Sequence, residues 1–348
     1  MGAIHSKGWP KERATVEFMR RRSIWRGLLL VLGLGLLGIV FFGPEEVPDP
    51  GVESLAQTWR GEFAPPQDIQ GGRLRVLNWN IERGLQLAKI QDAIRELDPD
   101  LCILQEVDLQ ARRTGGRNIA EQLARAAGFH YVFAIEFQEL SEGSPSSPAY
   151  HGQATLTRLP VRDHRVLRFA EQSDVWKPRS WMPNWAVLQR RLGGRIALLT
   201  ELDWGGRGLV VYNVHLESRL PAEGRRRQLE ELLADARRYS RETPIVLAGD
   251  FNARSQPETL LRLLRQEGFQ EAAGAGTPTL PPETSVMAPF LESVLGALTG
   301  TWPRGEHRSI DWIFVRGPLE TAQNRVHEDV HASDHFPVSA EIALTSGP

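Results

Sequence analysis

An α/β fold is predicted, and three observations predict it. Apolar runs of strand length recur from residue 74 to residue 344, stretches of helical period lie between them, and several runs are apolar on successive residues, as strands are when both faces are buried. The expected strands are residues 74–77, 101–104, 131–135, 154–157, 195–201, 209–214, 245–248, 311–315 and 338–344. Helices are expected at 87–97, 118–127 and 223–239, the last with Leu229, Leu232, Leu233 and Ala236 on one side. Residues 274–301, rich in Gly, Pro, Thr and Ala, read as a long loop, and the lone Cys102, inside an apolar run, reads as a buried hydrophobe.

The N-terminus is organised differently. Arg20, Arg21, Arg22 and Arg26 precede an uncharged stretch, residues 27–43, which Pro44, Glu45 and Glu46 follow. Seventeen apolar residues lie at the short end of what spans a bilayer, and no small-x-small cleavage site follows them. The positive flank places residues 1–26 in the cytoplasm and the remainder outside. The expected organisation is a basic cytoplasmic segment (1–26), a transmembrane signal anchor (27–43), a flexible tether (44–72) and a catalytic domain (73–348), with a cleaved signal peptide as the alternative. Of the net charge of −2, residues 1–26 carry +5 and the rest −7, which weighs against a non-specific duplex binder.

Polar residues interrupt the strands at their C-terminal ends. Residues 74–77 run into Asn78-Trp79-Asn80, 102–104 into Gln105-Glu106, 210–212 into Asn213-Val214-His215, and 245–248 into Gly249-Asp250-Phe251-Asn252. Three of these segments pair polar residues two apart, so both members of each pair face one side of extended chain. Asp311 opens a strand and Ser333-Asp334-His335 precedes another; if those two run antiparallel to the rest, all six groups meet at one edge. Asp, Glu, Asn and His without thiols suit a hard divalent cation, Mg²⁺ or Mn²⁺. Phosphoester hydrolysis uses such a set, to neutralise phosphate charge, activate water and stabilise the transition state.

Taken in order, Asn78-Trp79-Asn80-Ile81, Leu104-Gln105-Glu106, Asn213-Val214-His215-Leu216, Gly249-Asp250-Phe251-Asn252, Ile310-Asp311-Trp312-Ile313-Phe314 and Ser333-Asp334-His335-Phe336-Pro337 resemble the motifs of the endonuclease/exonuclease/phosphatase superfamily across residues 73–342. The resemblance implies a four-layer α/β/β/α sandwich of two mixed sheets, with the site at one edge. It implies Glu106 as principal metal ligand with Asn80 beside it and Asp334 close by. Asp250 would orient or deprotonate water, Asn252 would donate to the phosphate, and His335, held by Asp311, would contact the scissile phosphate. His215, with Asn213, resembles the deoxyribonuclease and sphingomyelinase branches.

Residues 151–158 resemble the family's Gly-Asn-Ala-x-Leu-Ser-Arg strand with Gln153 in place of Asn, which puts His151 near substrate; Arg117, with Arg112 and Arg113, reads either as a basic patch over the site or, for at least two of the three, as a solvated loop. His327 and His331 read as solvated loop residues, and Arg225, Arg226 and Arg227 as a solvated helix face. Trp176, Trp181 and Trp185 read either as core or as an exposed membrane- or substrate-facing group. The expected activity is metal-dependent phosphodiester hydrolysis on a nucleic acid, a phospholipid headgroup or a small organic phosphate, with no obligate protein partner. A catalytically silent, membrane-tethered binding protein is the competing class.

Overall fold

The computed structural model describes residues 55–65, 72–177, 190–281 and 308–345. The expected anchor at 27–43 lies outside the described residues, as do Trp181, Trp185 and most of the expected loop at 274–301. Among the described residues no helix is long and apolar enough to cross a membrane.

Two mixed sheets carry the fold. The first joins β1 (Thr58–Glu62), β5 (His130–Ser144), β6 (Ser147–Thr157), β3 (Leu101–Ala111), β2 (Arg73–Arg83), β15 (Val338–Leu344) and β14 (Leu319–Val326) in that spatial order, with β4 (Arg117–Asn118) on β3 and β8 (Arg191–Gly193) on β5. The second runs β12 (Gln270–Ala273), β13 (Asp311–Arg316), β11 (Ile245–Asp250), β10 (Arg207–His215), β9 (Ile196–Trp204) and β7 (Val161–Arg168). Strand β2 is parallel to β3 and β10 to β11, whereas β13 and β15 run antiparallel to β11 and β2. This is the condition under which Asp311 and the segment before β15 reach the same edge as the ends of β2, β3, β10 and β11.

The sheets pack face to face through Leu74, Val76, Leu101 and Ile103 of one and Leu209, Val211, Val246 and Ile313 of the other. Outside the first sheet, α1 (Leu87–Leu97) and α2 (Ile119–Ala127) bury Ile90, Ile94, Ile119 and Leu123 against Leu77, Trp79 and Leu104. Outside the second, α3 (Ala222–Ala236) and α4 (Pro257–Gln266) bury Leu229, Leu232, Leu260 and Leu264 against Tyr212, Val214 and Leu247. Four layers result, α/β/β/α, as the resemblance implied.

The expected tether is corrected over part of its length. Strand β1 adds to the sheet edge along β5, and Trp59 lies edge-on to Phe133 at 5.8 Å. Thr58 Oγ1 sits 2.9 Å from His164 Nε2 of β7, tying that edge to the other sheet. The stretch Thr-Trp-Arg-Gly-Glu shows little apolar alternation, which is why it reads as linker. Helix α4 is also absent from the sequence-based set; Pro257 starts it, where a missing N–H costs nothing.

Candidate active site

The edge is built in two tiers. In the lower tier Asn78, Gln105 and Asn213, all buried, form a carboxamide ladder between the sheets. Gln105 Nε2 donates to Asn78 Oδ1 at 3.0 Å and to Asn213 Oδ1 at 2.9 Å. Asn213 Nδ2 donates across the interface to the carbonyls of Leu104 and Ala154, both at 3.0 Å, and Asn78 Nδ2 to that of Gly249 at 3.1 Å. Asn213 was expected to be catalytic. Its oxygen and its amide are both engaged in joining the sheets, which makes it a scaffold residue. Gly249 is needed beside it, because a Cβ there would stand 1.8 Å from the carbonyl oxygen of Val214.

One step further along the strands lie the reactive groups. Asp250 Oδ1 accepts from its own neighbour's backbone, Asn252 N, at 2.8 Å. Its Oδ2 is the hub, 3.3 Å from Asn80 Nδ2, 3.4 Å from His215 Nε2 and 4.0 Å from His335 Nε2. Asn252 Nδ2 donates to Leu216 O at 2.8 Å, leaving the rest of that carboxamide to the site. Asp250, Asp311 and His335 place ligand-type atoms within 4.8 Å of one another.

Each histidine here is backed on Nδ1. His335 Nδ1 lies 2.8 Å from Asp311 Oδ2, and Asp311 also accepts from Thr279 Oγ1 at 2.6 Å. Burial pulls the His335 pKa down, but the carboxylates of Asp311, Asp250 and Asp334 outweigh it, and the value is pushed up to about 10. His215 Nδ1 is 2.9 Å from Arg195 and 3.3 Å from Glu136. A guanidinium only donates, so the shorter contact assigns the acceptor to Nδ1 and the proton to Nε2, which faces Asp250. His151 Nδ1 is 3.0 Å from Asp108 Oδ1, and its ring stacks on Phe137 at 4.6 Å.

Glu106 ends the straight part of β3 at an irregularity between Leu104 and Val107, with φ of 51°. Glu82, Arg83 and Asn252 share this left-handed backbone (φ 45°, 67° and 47°), a local strain concentrated where β2, β3 and β11 meet the edge. Burial raises the Glu106 carboxyl, yet the positive charges around it, those of Arg83 and Arg195 among them, prevail and hold it well below the usual carboxylate range. No hydrogen bond or ion pair takes up its oxygens among the described residues. An ionised carboxylate with free oxygens, beside the Asn80 carboxamide oxygen and the carboxylates of Glu82 and Asp334, is an all-oxygen donor set that fits Mg²⁺ or Mn²⁺. Asp334 is exposed, and its backbone N–H donates to the Glu82 carboxylate.

The structure therefore brings Asn80, Glu106, His215, Asp250, Asn252, Asp311, Asp334 and His335 to one edge. His151 is beside them, buried on β6. Arg117 is exposed on β4. The expected basic patch is corrected: Arg113 is paired with Asp108 at 2.7 Å and Glu139 at 3.0 Å, and Arg112 donates to Ser141 O. Arg225 is buried too, bonding Leu220 O and Ser255 Oγ and so bracing the loops after β10 and β11. His327 is buried and 2.8 Å from Ser339 Oγ. Trp176 is core, its Nε1 on Glu217 at 2.5 Å. Sequence reading missed Glu82, Asp108, Glu136 and Arg195; Glu82 and Asp108 carried a signal, standing two residues beyond Asn80 and Glu106.

Solved structures share this fold. An endonuclease/exonuclease/phosphatase from Beutenbergia cavernae aligns with a TM-score of 0.55 at 19% identity, over 80% of this chain and 73% of that one. A protein of the same description from Bacteroides vulgatus gives 0.51 at 18%, over 79% and 100%. A D. rerio TDP2 humanized by 14 mutations gives 0.51 at 14%, over 79% and 100%. No curated protein matches the sequence. The model of the Endonuclease/Exonuclease/phosphatase family, whose members are typically metal-dependent phosphoesterases, matches residues 77–335, and with the Asp250 hub between the two sheets the chain belongs to that family.

Proposed function

We propose that the chain is a metal-dependent phosphoester hydrolase of the phosphodiesterase class, using Mg²⁺ or Mn²⁺. The observation that carries this is the gap of 4.0 Å between Asp250 Oδ2 and His335 Nε2, too long for a hydrogen bond and wide enough for both atoms to contact one oxygen of a water or phosphate. Glu106, Asn80 and Asp334 would hold the cation, which when bound neutralises phosphate charge. Asp250 takes a proton from the attacking water as its oxygen bonds phosphorus. His335, protonated at neutral pH, donates from Nε2 to a phosphoryl oxygen, and the Asn252 amide donates to another as charge builds. The ester P–O bond breaks, and the leaving oxygen is protonated by solvent. His215 Nε2–H keeps Asp250 Oδ2 aimed at the gap.

A binding protein without catalysis has no use for this complete set. Within the enzyme class, a lipid headgroup or small organic phosphate suits the acidic remainder of the chain better than duplex DNA, and DNA hydrolysis is the second reading, from the presence of His215. A single-pass anchor at 27–43 with the domain outside the cytoplasm belongs to the same proposal. The test is a panel of plasmid DNA, sphingomyelin, phosphoinositides and simple phosphomonoesters given to the purified full chain. Turnover that requires Mg²⁺ or Mn²⁺ and is lost with chelator, in Glu106→Gln and in Asp250→Asn supports the reading. Turnover indifferent to chelator, or no turnover on any arm, overturns it.

A further inference from the structure

Strand β1 decides at which end the chain joins the domain. Without it, residues 44–72 would lead straight into β2, whose first residue, Arg73, lies at the end of the sheet away from the active edge. The register shows what β1 changes. Asn80 pairs with Gln105 on β3, Leu104 with Ala154 on β6, Gln153 with Ala134 on β5, and Ala134 with Thr58 on β1. Thr58 therefore stands level with Asn80, and β1 runs from the active edge down to Glu62, opposite in sense to β2.

The turn before β1 is fixed at the same end. Arg168 Nη2 donates to Leu55 O at 3.3 Å and to Ile135 O at 3.0 Å, and its Nη1 donates to Glu136 O at 3.0 Å. Glu136 is the carboxylate beside His215 Nδ1. Leu55 is buried in the outer core of the first sheet. Strand β1 is four strand spacings from β2, so the attachment point lies about 19 Å to the side of Asn80 along the edge.

Only residues 44–54 separate Leu55 from the expected span at 27–43. Eleven residues reach at most ~40 Å when fully extended. A domain of this length has a radius of gyration of about 19 Å and is roughly 50 Å across. With the far end of the sheets against the bilayer, the link would have to run the whole depth of the domain, which exceeds its reach. The surface of the active end agrees with the opposite pose. Leu85, in the turn after β2, is the large apolar side chain that stands exposed among the described residues, at 46%. Arg117 is exposed on β4, opposite Ala111 and five residues past Glu106, where a cation suits anionic headgroups.

We propose that the domain sits with its active edge towards the bilayer that residues 27–43 cross, so that this end of the molecule meets a lipid surface and the substrate is a phosphoester in the headgroup layer of the same membrane. The substrate class rests on the hydrolase reading, and the distance rests on the anchor. The orientation rests on β1 and the short link.

The test reads orientation without turnover. Cys102 is buried, so one dye can be attached at Arg117→Cys on the active end, or at Arg207→Cys, exposed at the start of β10 on the far end. Each full-length variant is reconstituted in phosphatidylcholine vesicles carrying rhodamine-labelled phosphatidylethanolamine, and energy transfer to the headgroup acceptor is measured. Transfer is expected to be about twofold or more greater from position 117. Equal transfer, greater transfer from position 207, or a chain that does not stay with the vesicles overturns the orientation. A second arm follows sphingomyelin and phosphatidylinositol 4,5-bisphosphate in the same vesicles beside bis(p-nitrophenyl) phosphate in solution. A rigid helical spacer of about thirty residues inserted after residue 43 lifts the domain by about 45 Å. It should lower turnover of vesicle lipid about tenfold or more and leave turnover of the soluble ester unchanged. Lipid turnover indifferent to the spacer, or turnover of the soluble ester alone, overturns the headgroup substrate. Transfer in the expected order from a protein that hydrolyses nothing leaves the orientation standing and overturns the hydrolase.

Discussion

His335 and Asp311 form a buried pair in which Nδ1 lies 2.8 and 3.0 Å from the two carboxylate oxygens, leaving Nε2 as the only ring nitrogen turned to the site. Replacing Asp311 by Asn keeps the shape but removes the charge that holds the imidazole protonated and oriented. Hydrolysis in Asp311→Asn is expected to fall by ~10²–10⁴-fold, mainly in kcat, as for the loss of a positioned acid or base and its orienting partner. Loss of less than threefold at neutral pH would remove His335 from the reaction.

The same pair sets a pH dependence in the chelated protein. His335 has a folded-state value of about 10 against an ordinary value of 6.5. Its pairing therefore stabilises the fold fully below pH 6.5, and that contribution is lost as pH rises through about 10. Urea unfolding of the metal-free protein should show stability declining across this window by a few kcal/mol, and the decline should be absent in His335→Gln. A flat profile in the unsubstituted protein contradicts the ionised pair.

Asn213 has a different expected signature. Asn213→Ala removes one acceptor of the Gln105 amide and the side-chain donor to the carbonyls of Leu104 and Ala154 between the sheets, at a cost of about 1–3 kcal/mol for buried polar groups left underpaired. The denaturation midpoint should drop, while the fraction that remains folded keeps a KM close to that of the parent. A stable variant with abolished turnover would return Asn213 to the chemistry.

The apolar segment at 27–43 predicts that the full chain sediments with membranes and resists an alkaline carbonate wash, and that a chain beginning at residue 44 is found in the supernatant. Release of the full chain by the wash alone would exclude a spanning anchor.

Much of the site was legible because β-strands have a period of two. Asn78 with Asn80, Asn213 with His215 and Asp250 with Asn252 each announce one side of a strand, and Asp311 and His335 are set beside them by the antiparallel β13 and β15. The period does not report depth. Asn78 and Asn213 sit one step below the edge and spend their hydrogen bonds on the partner sheet, whereas Asn80 and His215 clear it. Strand β1 and the buried pair Arg195–Glu136 left no pattern either, because each is made by elements distant in sequence.

The sequence by itself determined the fold class and the chemical type of the site, since apolar periodicity and strand-end polar residues are local properties of the chain, and it gave the four-layer order through the resemblance of its motifs to a known family. Tertiary structure alone decided which carboxamides hold the sheets and which face substrate, and where Glu106 gains its surrounding positive charge. Those are distances between separate elements, and they follow from register and sheet packing, which no local pattern encodes.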